Sequence, residues 1–227
     1  IGLYAKARPA MQDLAATIID GDNEETDKLT KAALDDGIEA LEIMDSGLIA
    51  GMAIVGIKFR ENIIFVPEVL SCARAMKAGM AHIEPILSEA GVKKAGTVVM
   101  GTVKGDLHDI GKNLVAMMME GAGFEVFNIG INNDVDSYLE AIEEHKPEIL
   151  GMSALLTTTM PFMKLIIEKI KSEGLDVPVI VGGAPVPQDF ADAVGANGYG
   201  DNAPIAVDIC KKLVGIASDQ QPIAEKV

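Results

Sequence analysis

Apolar residues recur at helical spacing through the first ninety residues. The segment TDKLTKAALDDGIEALEIM (26–44) has apolar side chains three to five positions apart, with Gly37 as a break. The next run, SGLIAGMAIVGIKF, is apolar on all sides, as in a buried helix, and PEVLSCARAMKAGMAHIEPIL starts with a proline suited to a first helical turn. Together with residues 7–20, these segments predict a four-helix bundle as an N-terminal domain of residues 1–90.

From residue 91 onward, short apolar runs alternate with stretches of helical spacing. The runs TVVMGTV, EVFNIG, EILGMS, VPVIVGG and ANGYG have the length and composition of strands, and the helical pattern APIAVDICKKLVG follows the last of them. Such alternation is typical of right-handed crossovers in a parallel sheet that is covered on both faces. We therefore predict an α/β, flavodoxin-like (Rossmann-type) domain with a five-stranded parallel sheet over residues 91–227.

Polar and glycine-rich segments follow four of these predicted strands. They read KGDLHDIG, SALLTTT, GGAPV and GYGDNA. Ligands of open parallel sheets bind beyond the carboxyl ends of the strands, where these segments should converge.

Composition and charge narrow the classes of partner and compartment. The formal net charge is −15, which disfavours nucleic acid and anionic membranes as partners. Cys72 and Cys210 are too few for a disulfide framework. The opening IGLYAKARPAMQDL lacks the apolar centre of a signal peptide, and no run reaches about 20 uninterrupted apolar residues. We expect an unexported protein of the reducing cytoplasm, lacking an initiator segment before Ile1.

His108 is the candidate for chemistry, because it lies in the loop after the first predicted strand. Asp106 comes two residues earlier and Gly111 three residues later. A carboxylate at this distance can hold one imidazole nitrogen and leave the other free for a metal. A glycine would let a bulky group approach the start of the next helix. His82 and His145 stand in no such motif and are interpreted as packing or helix-end residues.

Two further motifs stand at defined distances from this D-x-H-x-x-G pattern. Forty-five positions after His108 begins S-A-L (Ser153 to Leu155), and 26 residues separate Leu155 from the pair Gly182 and Gly183. This set resembles the cobalamin-binding domain of methionine synthase and of the corrinoid proteins that serve methyltransferases. The segment GMAIVGIKFRENIIFVPEVLSCARAM is similar to the helical cap of that class, so the resemblance covers nearly the whole chain.

The resemblance implies a base-off, histidine-on cobalamin, with His108 as the lower ligand of cobalt and the nucleotide tail in a slot between sheet and helix. In the family a hydroxyl extends the Asp106–His108 relay. Thr157, Thr158 and Thr159 are candidates for it, and Thr159 lies nearest the matching position. The implied cofactor contacts in the sheet domain are Asp106, His108, Asp109, Ile110, Gly111, Ser153, Leu155, Thr157, Gly182, Gly183 and Tyr199.

The resemblance also implies a shield over the upper face of cobalt. Its matching positions in the cap are Phe59, Val66 and Val69, although ordinary core packing would explain these residues equally well.

A methyl carrier is the function that the resemblance implies. It would pass a methyl group between a substrate-specific methyltransferase and a corrinoid:acceptor methyltransferase, would depend on a reductive activation protein, and would act as a component more than as an enzyme. The sequence leaves the donor open among methylamine, betaine, methanol and methoxyaromatic compounds, with a slight lean to methylamines and betaines. The alternative is a flavodoxin-like flavin- or nucleotide-binding protein, with a phosphate near Gly182 and Gly183.

Overall fold

A computed structural model describes residues 7–216 of the 227-residue chain. Helices occupy the first part of this range, and strands alternate with helices from residue 97 onward. The outer ends of the two predicted domains, residues 1–6 and 217–227, lie outside the described residues. The domain boundary between residues 90 and 91 stays a prediction.

The predicted four-helix cap is confirmed, with one irregular helix. Gly21, in the left-handed region with φ of 71°, ends the first helix, and the side chain of Asp22 accepts from the Glu25 N–H to begin the second. Gly37 lies between the second and third helices, as expected. The cap helices are α1 (Pro9–Asp20), α2 (Asn23–Asp35), α3 (Ala40–Arg60, with a π-helical segment Ile43–Ile49) and α4 (Val66–Glu89).

Close helix approach in the cap depends on glycines that face large apolar side chains. A Cβ at Gly51 would lie 2.8 Å from the Ile18 Cβ of α1, and a Cβ at Gly79 would lie 2.7 Å from a Leu48 methyl. The same packing explains the apolar composition of α3. By length and composition alone that helix could cross a membrane, and half of its apolar 18-residue window is buried inside the protein.

The predicted five-stranded parallel sheet is also confirmed. Its strands lie in the order β2-β1-β3-β4-β5, which is the flavodoxin-like order. The strands are β1 (Thr97–Thr102), β2 (Glu125–Asn128), β3 (Ile149–Ser153), β4 (Val179–Gly182) and β5 (Gly198–Gly200). The helices between and after them are α5 (Ile110–Glu120), α6 (Val135–His145), α7 (Pro161–Ser172), α8 (Gln188–Val194) and α9 (Ala203–Leu213).

Two apolar cores lie on opposite faces of this sheet. One contains Val99, Tyr138 and Leu150 together with residues of α7. The other is continuous with the cap, because it joins cap residues such as Met52 and Val55 to Leu114, Met118 and Ile180. The cap therefore packs on the sheet domain through shared core.

Candidate functional site

The loop between β1 and α5 is held by hydrogen bonds to its surroundings. The Thr102 hydroxyl donates to the His108 carbonyl at 2.9 Å, and the Gly105 N–H donates to the Asn132 Oδ1 at 2.8 Å. The Asn132 N–H in turn donates to the Asp106 carbonyl at 3.1 Å. Asn132 has a φ of 58°, which asparagine tolerates better than most residues. These hydrogen bonds hold the loop in place without a contribution from a ligand.

Asp106 is fully buried at the centre of the site. Its Oδ1 lies 2.8 Å from the His108 Nδ1 and 3.1 Å from the His108 backbone nitrogen. Its Oδ2 accepts from the backbone N–H groups of Leu155, at 2.7 Å, and Leu156, at 3.1 Å. The Thr159 hydroxyl donates to the same Oδ2 at 2.8 Å. The structure thus brings Asp106, His108 and Thr159 together as a relay.

The charge of Asp106 fixes the tautomer of its neighbour. Burial by itself raises the pKa of Asp106, but hydrogen bonds from the Leu155 N–H, the His108 ring and backbone, and the Thr159 hydroxyl outweigh it and hold that pKa well below its usual range. An ionised carboxylate only accepts, so the His108 Nδ1 carries the proton. In the neutral imidazole this tautomer leaves the lone pair on Nε2, and the His108 side chain is 51% exposed. This nitrogen is available to a metal.

Large apolar side chains on the same loops are exposed beside the imidazole. Leu107 is 66% exposed and Ile110 is 74% exposed, and Leu155 and Leu156 also present side chains to solvent. Exposed apolar residues that cluster around a polar centre mark ligand sites. A flat apolar ligand seated on His108 would cover this surface.

A cavity of about 220 Å³ lies between the sheet and the helices α5 and α9. Gly111, one turn beyond His108, lies in its wall, and so does Ser153 at the end of β3. The remaining lining residues come from the sheet, the loops after β4 and β5, the two helices and one cap side chain: Phe59, Met100, Lys112, Leu114, Val115, Gly151, Met152, Ile180, Val181, Gly182, Gly183, Gly200, Asp201, Asn202, Ala203 and Ala206.

A side chain would have different consequences at the three glycines that were predicted to line the slot, Gly111, Gly182 and Gly183. A Cβ at Gly111 would meet no atom within 4 Å, so this glycine leaves open space. A Cβ at Gly182 would lie 2.9 Å from the Gly200 carbonyl oxygen, and one at Gly183 would lie 1.9 Å from the Ala154 oxygen. Gly183 also has a φ of 128°. Gly182 and Gly183 are therefore required by the backbone itself, whereas Gly111 is not.

The cap residues predicted to face cobalt lie in different surroundings. Phe59 lines the cavity. Val66, at the first position of α4, is half-buried, and Val69 is fully buried in the core shared by cap and sheet domain. Of the three, only Phe59 lines the cavity, and all three belong to or pack against the core shared by cap and sheet domain.

Three other predicted contacts, Thr157, Tyr199 and Asp109, are not among the residues that line the cavity. Thr157 is exposed on the loop after β3. Tyr199 packs against the core on the opposite face of the sheet, and its hydroxyl donates to Asp201 at 3.1 Å. Asp109 precedes α5 and accepts from the Asn113 side chain at 2.9 Å.

A buried lysine next to the site was missed from the sequence. Lys112 donates to the Asn113 Oδ1 at 2.8 Å and to the Asn128 Oδ1 at 2.5 Å. Burial lowers the pKa of Lys112, and the Asp109 carboxylate partly opposes that effect. The cluster ties the first turn of α5 to the end of β2.

Within residues 7–216, no group of three or more histidine, cysteine, aspartate or glutamate side chains is arranged to hold a metal ion. A single protein ligand suits a metal whose other ligands come from a macrocycle. That chemistry agrees with one half-exposed imidazole beside an apolar surface.

Comparison with known proteins identifies the family. Residues 96–208 match a family described as B12 binding domain, and residues 10–84 match a second family of the same description. A trimethylamine corrinoid protein of Methanosarcina barkeri is 38% identical over 218 residues, which are 94% of this chain and 97% of that protein. The chain belongs to the corrinoid proteins. Another relative, a corrinoid protein of Desulfitobacterium hafniense, is 37% identical over 90% of this chain and 97% of its own length.

A solved structure is similar to this chain over nearly its whole length. The methanol:cobalamin methyltransferase complex of Methanosarcina barkeri superposes with a TM-score of 0.84 and 32% identity, over 96% of this chain and 84% of that one. The predicted family, a corrinoid protein of methyltransferase systems, and the predicted cofactor, cobalamin, are confirmed.

Proposed function

We propose that this corrinoid protein carries methyl groups on a cobalamin held base-off and histidine-on, with His108 as the lower ligand of cobalt. The observation that supports the proposal best is the pair of Asp106 and His108. A fully buried carboxylate fixes Nδ1 at 2.8 Å, and the half-exposed ring keeps Nε2 free. A buried carboxylate behind a ligating histidine is the usual support for a metal ligand.

The residues around this pair fit the cofactor. The exposed side chains of Leu107, Ile110, Leu155 and Leu156 offer an apolar seat for a macrocycle. The cavity beside Gly111 opens where the nucleotide tail would enter, and Gly111 leaves that space free. Leu107, His108, Ile110 and Gly111 lie within five residues of one another, and hydrogen bonds to Asp106 bring the loop of Leu155 and Leu156 to them.

Bound cobalamin would supply a cobalt that accepts a methyl group and gives it up. The chain's own residues control the proton at Nδ1. The Asp106 carboxylate accepts a hydrogen bond from the Nδ1–H group, which would let His108 act as a neutral ligand through Nε2. The Thr159 hydroxyl and the Leu155 and Leu156 N–H groups stabilise the carboxylate charge. A proton and a metal would compete for the lone pair of Nε2, so coordination and protonation of His108 would be linked.

We propose two kinds of partner, a substrate-specific methyltransferase and a corrinoid:acceptor methyltransferase, together with a reductive activation protein. The names of the relatives support the first kind, because one serves trimethylamine and another structure is a methanol:cobalamin methyltransferase complex. The relatives' names differ in the methyl donor. The similarity therefore supports a role as methyl carrier, and we propose that the partner enzyme selects the donor. We propose a cytoplasmic location, which agrees with the two buried free cysteines, Cys72 and Cys210.

The test is the visible spectrum of the protein loaded with hydroxocobalamin. We expect a base-off, histidine-on spectrum in the wild type, its loss in His108→Ala, and roughly 10- to 100-fold weaker retention in Asp106→Asn. His145→Ala is the matched control, since His145 stacks on Phe127 at a ring distance of 3.9 Å and lies in α6. An unchanged spectrum in His108→Ala would overturn the ligand assignment, and purification with flavin instead would favour the flavodoxin-like alternative.

A further inference from the structure

The cap contributes to the cavity as well as covering the sheet domain. Phe59, near the end of α3, lines the cavity together with Gly111 and Leu114 of α5 and Ala203 and Ala206 of α9. A cap helix therefore stands against the space between the two helices that form the cavity walls.

The same cap helix packs on the α5 wall. The methyl carbon of Met118 lies 3.3 Å from the position of a Cβ at Gly56, and the Met52 side chain lies 3.0 Å from that of a Cβ at Gly121. These approaches leave no room for a further methyl group without rearrangement.

An ion pair joins the cap helix to the α9 wall. The Arg60 Nη2 donates to the Asp208 Oδ2 at 2.7 Å, although the two residues are 148 positions apart. Their side chains are 29% and 27% exposed. Partly buried charges are screened less by salt than exposed ones, so this pair is better placed to hold two elements together than the exposed pairs of the surface.

We propose that Arg60 and Asp208 form a clasp that keeps α9 against the cap, with Phe59 closing one side of the cavity, and that this clasp retains the nucleotide tail of the corrinoid. The inference rests on the proposed function. The clasp couples the position of the cap to the binding of the nucleotide tail. Displacing the cap would weaken binding of the tail, and a bound tail would favour the closed position of the cap.

The experiment measures dissociation of two corrinoids from the loaded protein, hydroxocobalamin and aquocobinamide, which lacks the nucleotide tail. The variants are Arg60→Gln, Asp208→Asn and the charge swap Arg60→Asp/Asp208→Arg. We expect each single variant to release cobalamin about 5- to 30-fold faster, the range typical of one coupled pair, and the swap to recover most of the loss. Release of cobinamide should not change.

Lys94→Met is the matched control. Lys94 pairs with Glu84 of the cap at 3.0 Å and with Glu125 of β2 at 3.3 Å, so it also joins the two parts of the chain, but none of these residues lines the cavity. Its removal should leave both release rates unchanged. Circular dichroism and thermal unfolding check that every variant is folded.

Each outcome decides between a clasp and a general effect. Unchanged release of cobalamin in Asp208→Asn, an isosteric change in α9 that removes the charge, would overturn the clasp. Equal acceleration of both corrinoids would also overturn it, because the effect would then not concern the tail. A wild-type protein that binds neither corrinoid would instead refute the proposed function, on which the clasp depends.

Discussion

Asp106 and His108 contact each other twice through one oxygen, because the Asp106 Oδ1 accepts from both the ring and the backbone N–H of His108. The double contact fixes the orientation of the imidazole as well as its tautomer. Preorganisation of this kind removes the need to order the ring when a ligand binds. The relationship connects the stability of the loop to the chemistry of the site.

Asp106→Asn should destabilise the protein by about 1 to 3 kcal/mol at pH 7, because a buried charged acceptor with several donors is lost. The folded-state pKa of Asp106 is depressed, so its contribution is present above the unfolded value of about 3.9 and is lost as pH falls toward the folded value. Urea unfolding should show a less stable variant at about pH 5, with a difference from wild type that narrows below about pH 4. A difference that stays the same from about pH 5 down to about pH 2 would contradict this.

Thr159 should act on the relay and Thr157 should not. Thr159→Val removes the hydroxyl that donates to the Asp106 Oδ2 and should cost about 1 to 2 kcal/mol of stability and weaken cobalamin retention, while Thr159→Ser should restore both. Thr157→Val is the control, because Thr157 is exposed on the same loop. Equal effects of the two valine variants in unfolding and in binding titrations would show that the loop, and not the hydroxyl, matters.

Gly111 is the position at which a side chain should block the cavity without harming the fold. Gly111→Ala should be neutral or stabilising by up to about 1 kcal/mol, since alanine favours helix more than glycine does. Gly111→Val and Gly111→Phe should lose affinity for cobalamin in order of size and keep affinity for cobinamide, measured by spectral titration. Normal binding of cobalamin by Gly111→Phe would mean that the tail lies elsewhere.

Gly183 provides the contrast to that series. Even Gly183→Ala should unfold or distort the protein, because its Cβ would collide with the Ala154 oxygen at 1.9 Å and its φ of 128° strains any side chain. Both corrinoids should then be lost together.

Tyr138→Phe should stabilise the protein by about 1 kcal/mol. The Tyr138 hydroxyl is fully buried, and it has no hydrogen-bond partner among residues 7–216, so removing it removes a desolvation cost. Tyr199→Phe is the control, because the Tyr199 hydroxyl donates to Asp201 and should give no such gain. Chemical denaturation measures both, and a loss of stability in Tyr138→Phe would point to a partner for that hydroxyl.

The sequence predicted the parts of the site that depend on local spacing. His108, Asp106 and Gly111 lie within six residues, and the strand pattern placed the loops of Leu155 and Thr159 at the same sheet edge, where the structure finds them. Several of the hydrogen-bond donors to Asp106 cannot be recognised from a sequence motif. Two of its donors are the backbone N–H groups of Leu155 and Leu156, which every residue except proline possesses.

Contacts between distant parts of the chain were the other features that the sequence did not reveal. Asn132 holds the Asp106 loop, and Arg60 meets Asp208, only because the strand order and the position of the cap bring them together. The reason for Gly183 was likewise hidden: its collision with Ala154 depends on the close pairing of β3 and β4, not on a ligand.

The apolar core that cap and sheet domain share makes displacement of the cap costly. Displacing the cap would expose apolar side chains such as Met52, Val55 and Met118 to water. The free-energy cost of that exposure is about 25 cal/mol per square ångström of apolar surface. The state with the cap displaced therefore has a higher free energy than the closed state, and the protein returns to the closed state when the partner leaves. A partner that displaces the cap, such as the proposed methyltransferase, would lower this cost by covering the same apolar side chains with its own surface.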